Sequence, residues 1–543
     1  MKKVLLLLLV TLTACDLLKN NVDLVVINAN IYTVDEGFSK AQAFAVKEGR
    51  FVAVGTSEEI QKKYTADQIV DANKRTITPG LIDAHCHFYS LGLNQQVVDL
   101  VGTFSFEEVL DRVKRFQEQN PKDFIIGQGW DQNDWEVKEY PTKKELDELF
   151  PDTPVVLRRI DGHAMLVNQK VLDLAGIDWS TKVEGGEIVK KWGGGKSGIT
   201  GVLIDNPMGL VSTITPLPTR NAKIQALKDA ERICFNHGLT TVSDAGLDRS
   251  VIELIDSLQQ TGDLSIRIYA MVSNTPENLK YYINKGPIKT SKLNVRSLKV
   301  YSDGALGSRG AALKKPYTDT WGHYGAMVTP VEEIEDLASR LAMSEYQMNT
   351  HAIGDSANAV VLRAYKKALN GQEGRRWRIE HAQVIDSIDF DYFKAGIIPS
   401  IQPTHATSDM YWAEDRLGTE RIKGAYAFKT LLEKAGKVAL GTDFPVEQVS
   451  PFLTFYAAVS RQDLDGYPEG GFQAKDALSR EEALRGMTIW AAYSNFEEHE
   501  KGSIEVGKFA DFVIYSDDLM TVPVQKIPGI RAELTYIDGK IAE

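Results

Sequence analysis

The sequence predicts an α/β fold, a (β/α)8 TIM-like barrel joined to a small composite β-sandwich built from both ends of the chain. Three observations predict it. Candidate strands, most of them ending in polar or ligand-type residues, recur through the middle of the chain, helical periodicity fills most of the intervals between them, and short strands with turn residues occupy both termini. The chain has 543 residues, enough for a barrel-sized core and an accessory domain.

Residues 1–14 have the features of a secretory signal peptide. Lys2 and Lys3 precede an apolar run at 4–10, which is far shorter than the roughly 20 residues that span a bilayer. The run leads into the motif LTAC ending at Cys15, which resembles a bacterial lipobox and implies lipid attachment to that thiol. We therefore expect a protein of the bacterial cell envelope, on its periplasmic or extracellular face, that meets the membrane only through this anchor. The alternative is ordinary secretion with an incidental cysteine.

The β-sandwich is predicted from two separate segments, residues 22–79 and 500–543. Short strand-like runs with intervening turn residues lie at 24–27, 43–46, 51–54, 511–515 and 534–537. Because both termini look like short-stranded β structure around a central α/β region, we expect them to assemble into one small β domain.

The barrel is predicted over residues 80–499. Eight runs of strand character lie at 80–87, 239–244, 266–272, 297–303, 347–351, 378–381, 397–402 and 438–443, and helical periodicity is clearest at 334–344, 357–369 and 428–435. A barrel of this kind carries its active site at the carboxyl ends of its strands. The interval from about 105 to 220 is too long for one connection and is interpreted as an insertion near the active-site mouth.

The composition narrows the classes of partner. The formal net charge is −12, and an acidic chain without a basic stripe argues against a nucleic-acid partner and leaves a small-molecule substrate. Three cysteines indicate no disulfide framework. The stretch GGGKS at 193–197 lacks the first glycine and the preceding strand of a phosphate-binding loop, and it is interpreted as a flexible turn.

The first chemistry-bearing pair is His85 and His87. Side chains alternate along a strand, so these two imidazoles share a face while Cys86 points away. Two imidazoles at the end of an apolar strand form a chelate for Zn²⁺ or a similar divalent metal. Alone the pair is weak evidence. It follows a Pro-Gly turn at residues 79–80 that would lead the chain from the β domain into the strand.

Three further ligand-type residues end later candidate strands: His351, His381 and Asp443. Strand ends converge at one mouth of a barrel, so the four histidines and the carboxylate predict a site for one or two divalent metals, with Zn²⁺ favoured. The alternative is four separately satisfied core histidines and a helix-capping aspartate.

These motifs together resemble the amidohydrolase superfamily, in the amidohydrolase-3 branch that includes YtcJ-like proteins and N-substituted formamide deformylase. The resemblance is carried by TPGLIDAHCH at 78–87, the segments around His351, His381 and Asp443, and GSIEVGKFAD at 502–511, and it covers essentially the whole mature chain. It implies that Lys299, near the end of the fourth strand, is carboxylated and bridges two metals. The alternative is an unmodified lysine paired with an acid, because a buried ammonium needs a partner.

The resemblance implies hydrolysis of a non-peptide C–N bond in an amide, N-acyl or N-formyl compound. In this hypothesis the metal lowers the pKa of bound water toward about 7, and Asp443 takes its proton during attack and passes it to the leaving amine. Two alternatives stay open: an ester or other carbonyl hydrolase using the same site, and a lipid-anchored binding protein without catalysis.

Substrate contacts are assigned to four residues. His163 lies in a segment that resembles a family motif near the pocket and would polarise the substrate carbonyl, or it is structural. Arg309 follows the fourth strand and would bind an anionic group or an acid. Trp130 and Asp131 would line the entrance, although a packed tryptophan is an equal reading. Cys234, in a helical pattern, is assigned to the core.

Overall fold

The computed structural model describes residues 19–191 and 198–542. Cys15 with its signal segment and the GGGKS turn lie outside the described residues. Within the described ranges, no helix is long and apolar enough to cross a membrane. Strands β1–β25 and helices α1–α17 are numbered below in chain order.

The N-terminal segment contributes strands to two sheets. In the first sheet, β1 lies centrally, antiparallel to β4 and parallel to β6, in the order β5–β4–β1–β6; β2, β3 and β7 belong to the second. Thr56 begins the helix of this segment with a capping box shared with Glu59. The elements are β1 (Asn20–Ile27), β2 (Asn30–Tyr32), β3 (Lys40–Ala41), β4 (Ala43–Lys47), β5 (Arg50–Gly55), α1 (Ser57–Lys63), β6 (Tyr64–Asp71) and β7 (Thr76–Pro79).

After the first barrel strand and its helix, the chain forms a separate six-stranded sheet in the order β13–β14–β12–β11–β10–β9. We call it the inserted sheet. This sheet has its own apolar core, which includes Trp130, Leu157 and Val202. The elements are β8 (Leu81–Cys86), α2 (Phe88–Asn94), β9 (Val98–Asp99), α3 (Phe106–Gln119), β10 (Ile125–Trp130), α4 (Lys144–Leu149), β11 (Val155–Arg159), β12 (Ala164–Val167), α5 (Gln169–Ala175), β13 (Gly186–Lys190), β14 (Ile199–Asp205) and α6 (Met208–Ser212).

The barrel consists of eight parallel strands in the order β22–β21–β20–β19–β18–β16–β15–β8, with the short β17 paired to β18. Helices lie between most successive strands. The elements are α7 (Arg220–Asn236), β15 (Leu239–Leu247), α8 (Arg249–Thr261), β16 (Arg267–Ser273), α9 (Pro276–Lys285), β17 (Ile288–Lys289), β18 (Leu293–Tyr301), α10 (Val331–Ala342), β19 (Gln347–Ala352), α11 (Asp355–Leu369), β20 (Arg378–His381), β21 (Ile398–Ile401), α12 (Pro403–Asp409), α13 (Ala413–Arg421), α14 (Phe428–Ala435) and β22 (Ala439–Leu440).

Backbone contacts just beyond β22 bring the last strand against the first. The Asp443 amide donates to the His85 carbonyl at 2.8 Å, and the His87 amide donates to the Phe444 carbonyl at 2.7 Å. Gly441 permits this approach, because a Cβ there would lie 2.5 Å from the His85 nitrogen. The eight strands therefore form a nearly closed barrel. The predicted barrel is confirmed, and each predicted strand overlaps an observed one.

The C-terminal segment returns to the β structure at the start of the chain. Strand β23 pairs antiparallel with β7, and the second sheet runs β25–β24–β23–β7–β2–β3. Apolar side chains from both sheets pack in one cluster that includes Val26, Phe44, Ile77 and Phe512, so the two sheets form a sandwich. The remaining elements are α15 (Pro451–Ser460), α16 (Arg480–Gly486), α17 (Ile489–Ser494), β23 (Phe512–Tyr515), β24 (Ala532–Ile537) and β25 (Lys540–Ile541).

Candidate metal centre

The two histidines of the first strand face the aspartate that follows the last. The fully buried His85 directs Nδ1 to the Glu380 carboxylate, 2.5 Å from Oε2. Its Nε2 lies 3.4 Å from Oδ1 of Asp443, and the Nε2 of His87 lies 3.3 Å from the same oxygen. Closure of the barrel therefore places an imidazole pair and a carboxylate around one point.

A second group lies on the other side of Asp443. His381 ends β20 and shares a hydrogen bond between Nδ1 and Oε1 of Gln402, at 2.8 Å. His405 lies on α12, stacks on the His381 ring with centroids 5.9 Å apart, and places Nε2 3.7 Å from Asp443 Oδ2. His405 lies four residues past the end of the seventh strand and was not predicted as a ligand.

His351 lies beside this second group. Its ring centroid is 4.7 Å from that of His381, and its Nε2 is 3.4 Å from the Gly304 carbonyl oxygen. The structure thus brings together all five predicted histidine and aspartate ligands and adds His405. We call these six residues the histidine–aspartate cluster: His85, His87, His351, His381, His405 and Asp443.

The cluster fits one or two divalent metals. Ligand atoms of His85, His87 and Asp443 all lie within 4.8 Å of one another, and so do those of His381, His405 and Asp443. Asp443 Oδ1 and His405 Nε2 are buried, yet neither makes a hydrogen bond within the described chain. Imidazole nitrogens and a carboxylate that converge without bonding one another are the donor set that Zn²⁺ and similar ions take. Asp443 belongs to both groups.

Two members of the cluster have a strained backbone. His381 has φ +74° and Asp443 has φ +63°, a left-handed conformation that non-glycine residues adopt rarely. Such residues cost about 1–3 kcal/mol each and are found preferentially at functional sites. The strain therefore agrees with a binding or catalytic role for this edge of the barrel.

Burial sets the charge of the cluster. It lowers the pKa of His85 to about 4, with a further contribution from Lys299, and it lowers the pKa of His351 and His381 well below the usual range. Burial alone would raise the pKa of the Asp443 carboxyl, but the surrounding histidines, first of all His85, hold it well below its usual range. Neutral imidazoles beside an ionised carboxylate are the protonation states that bind metals.

Lys299 also lies at the histidine–aspartate cluster, beside His85. It is 1% exposed, its Nζ lies 3.3 Å from His85 Nε2, and it forms no ion pair with an acid of the described chain. Burial lowers the pKa of its ammonium group to about 8. The lowered pKa increases the share of Lys299 that is a neutral amine at neutral pH, and the neutral amine is the form that carboxylation requires.

Two buried carboxylates, those of Glu380 and Asp83, form hydrogen bonds to His85 of the cluster. Glu380, fully buried, contacts His85 and pairs through Oε1 with Arg378 Nε at 2.7 Å. Asp83 accepts the Thr442 hydroxyl at 2.7 Å and the His85 amide at 3.1 Å, which joins the first strand to the last. Partners of this kind fix the orientation of metal ligands.

A cavity of about 780 Å³ opens above the cluster, and the inserted sheet forms one of its walls. His163, Asp131 and Arg159 line it, and Arg159 pairs with Asp131 and with Asp161. Trp130 and Arg309, which were predicted to contact the substrate, are not among the residues that line the cavity. Trp130 is buried in the core of the inserted sheet, and Arg309 pairs with Asp319 at 2.8 Å.

An α/β barrel with a histidine–carboxylate cluster at the carboxyl ends of its strands has the architecture of a metal-dependent hydrolase. Comparison with known sequences gives the same class. The chain belongs to the amidohydrolase family, whose model matches residues 68–542.

Relatives match over nearly the whole length of the chain. YtcJ of Bacillus subtilis, which its name assigns to the amidohydrolases, is 32% identical over 94% of this chain and 97% of its own. N-substituted formamide deformylase of Arthrobacter pascens is 27% identical over 95% of this chain and 97% of its own. The crystal structure of an uncharacterized metal-dependent hydrolase from Pyrococcus horikoshii, 28% identical, superposes with a TM-score of 0.75 and covers 92% of this chain and 99% of that one.

Proposed function

We propose that the protein hydrolyses a non-peptide C–N bond of an amide, N-acyl or N-formyl compound with the help of a divalent metal, Zn²⁺ being the favoured ion. The observation that carries the proposal is the histidine–aspartate cluster at the base of a cavity large enough for a small molecule. The name of one relative, N-substituted formamide deformylase, supports the bond type. An envelope location through a lipid on Cys15 is part of the same proposal.

The chemistry divides between the metal and the chain. A divalent metal bound by the cluster supplies an activated water and polarises a carbonyl group. Asp443 is the carboxylate shared by both ligand groups, so it lies where it can take up the proton released in the attack and deliver it to the leaving amine. Glu380 keeps the ring of His85 in place throughout. A carboxylated Lys299 would add a further oxygen ligand.

Asp443→Asn tests this assignment. Asparagine has the shape of aspartate and tolerates a left-handed backbone, so the fold and much of the metal binding are retained. Loss of the proton acceptor lowers kcat by about 10²–10⁴-fold. The control is Asp355→Asn, because Asp355 is also buried but binds the Lys314 amide away from the cavity. Equal turnover by the wild type and the Asp443 variant, at equal metal content, contradicts the proposal.

The class of bond is tested with chromogenic probes. We expect turnover of formyl-p-nitroanilide or acetyl-p-nitroanilide by the zinc-loaded protein, measured by release of p-nitroaniline. Turnover of p-nitrophenyl acetate alone would favour the ester hydrolase. A metal-free purified protein without turnover on any probe would favour the binding protein.

A further inference from the structure

The inserted sheet carries a hydrogen-bonded aspartate–histidine pair to the cavity. His163 immediately precedes β12 and Asp205 ends β14, and these strands are antiparallel with Ala164 opposite Ile204. The Asp205 amide donates to the His163 carbonyl at 2.9 Å, and Oδ1 of Asp205 lies 2.7 Å from Nδ1 of His163. The register of the sheet therefore aligns the two side chains.

The carboxylate of Asp205 fits into a space beside two glycines of the barrel. Its Oδ2 is buried and makes no hydrogen bond within the described chain. That oxygen lies against Gly304 and Gly310 in the loop after β18, where a Cβ at either position would lie 2.3 Å from it. Asp205 also has φ +56°. A buried, unsatisfied carboxylate oxygen in a strained residue is a cost that stability alone does not explain.

The ring of His163 lies between the Asp205 carboxylate and the metal centre. It lines the cavity and packs on His351 and Tyr301, with ring centroids 4.9 Å and 6.2 Å away. Nδ1 is bound to Asp205, so Nε2 is left on the other side of the ring, without a hydrogen bond inside the described chain. Nε2 is therefore the atom that can meet a molecule in the cavity.

We infer that Asp205 is a positioning residue for the hydrolysis proposed above: it fixes the ring of His163 so that Nε2 contacts the oxygen of the scissile carbonyl. The Asp205 carboxylate lies 2.7 Å from Nδ1 and stabilises the imidazolium form of His163, in which Nε2 also carries a proton and can donate to that oxygen. Charge develops on that oxygen during attack, so a fixed donor there accelerates the reaction. The inference rests on the proposed function and gives the inserted sheet a part in it.

A double-mutant cycle measures whether Asp205 acts through His163. The zinc-loaded wild type, Asp205→Asn, His163→Gln and the double variant are compared in kcat and KM on the p-nitroanilide or p-nitrophenyl acetate that the wild type hydrolyses. We expect kcat to fall about 10²–10³-fold in His163→Gln and about 10–100-fold in Asp205→Asn, with the double variant no slower than His163→Gln. An equal loss from Asp205→Asn in both backgrounds overturns the inference.

Two further variants separate positioning from stability. Gly310→Ala leaves the Asp205 charge intact but displaces the carboxylate, so kcat is expected to fall as in Asp205→Asn. Asn168→Ala is the control, because the buried Asn168 side chain hydrogen-bonds only to backbone groups of β11, α5 and the loop before β11. It should lower the Tm and leave kcat unchanged. If kcat falls with Tm in Asn168→Ala, and in the same proportion in Asp205→Asn, the role of Asp205 is structural. That result contradicts the inference.

A spectroscopic readout keeps the inference distinct from the proposed function. In the zinc-loaded protein with 15N-labelled histidine, the His163 signals are identified by their loss in His163→Gln. We expect a downfield Nδ1 proton that shifts upfield in Asp205→Asn. An unchanged spectrum overturns the inference, whereas a shifted spectrum in a protein that hydrolyses none of the probes supports the pair and refutes the proposed function.

Discussion

Replacing Glu380 with glutamine should weaken both the metal centre and the fold. Glu380 accepts from His85 Nδ1 at 2.5 Å and pairs with the Arg378 side chain at 2.7 Å, and all three side chains are fully buried. Glutamine keeps the size of the side chain but removes the negative charge. The change therefore isolates the electrostatic contribution of one carboxylate behind the cluster.

The magnitude follows from two contacts. Breaking a buried ion pair by removing one charge costs about 3–5 kcal/mol, because the Arg378 guanidinium is left buried without its counter-charge. The His85 ring also loses a carboxylate that fixes its orientation and raises its basicity, and partners of this kind are worth about 10–100-fold in metal affinity. We expect both effects in Glu380→Gln.

Glu497→Gln is the matched control. Glu497 is a buried carboxylate paired with Lys289 at 2.6 Å and Lys501 at 2.9 Å, and it does not line the cavity. Urea unfolding should show similar losses in the free energy of unfolding for both variants. Zinc titration against a competing chelator should show weakened affinity in Glu380→Gln alone. Wild-type zinc affinity in Glu380→Gln, or an equal loss in the control, would refute the reasoning.

Three further predictions follow from other features. Burial raises the pKa of Glu380, but Arg378 and His85 lower it to about 2. The stability advantage of the wild type over Glu380→Gln should therefore be complete above about pH 4.5 and disappear as the pH falls toward 2. Urea unfolding across that range checks this, and a constant difference in the free energy of unfolding would contradict it. Gly441→Ala drives a Cβ against the His85 backbone and should lower the free energy of unfolding by about 1–3 kcal/mol with a loss of zinc affinity, whereas wild-type values would mean that the barrel relaxes there. Cys15→Ala should abolish incorporation of labelled palmitate in a bacterial host, and undiminished labelling would exclude Cys15 as the anchor.

The barrel could be predicted because its strands combine two local signals. The run that became β8 has the apolar residues Leu81, Ile82 and Ala84 and leads into His85 and His87, so both the strand and its functional end are visible in a short window. The last strand was predicted as 438–443, but only Ala439–Leu440 forms regular pairing. The following residues leave the ladder to contact the first strand, a long-range event that no local pattern encodes.

The site was only partly predictable for the same reason. The histidines at strand ends and Asp443 occupy positions that follow the rule that a barrel carries its active site at the carboxyl ends of its strands. His405 lies on a helix after the seventh strand, in a segment with no periodicity that distinguishes a ligand from a surface histidine. Glu380 and Asp205 act through partners 295 and 42 residues away in the chain, a relation visible only in three dimensions. The alternative reading of Trp130 as a packed residue agrees with its burial.

The pairing of β7 with β23 has a consequence for synthesis of the chain. Thr78 and Tyr515, bonded through their hydroxyl groups, are 437 residues apart, so β7 leaves the ribosome long before its neighbour in the sheet exists. At about 5–20 residues per second the wait is roughly 20–90 s. Throughout it the edge of β7 that later pairs with β23 has no partner in the chain, and an unpaired strand edge is able to pair with other chains.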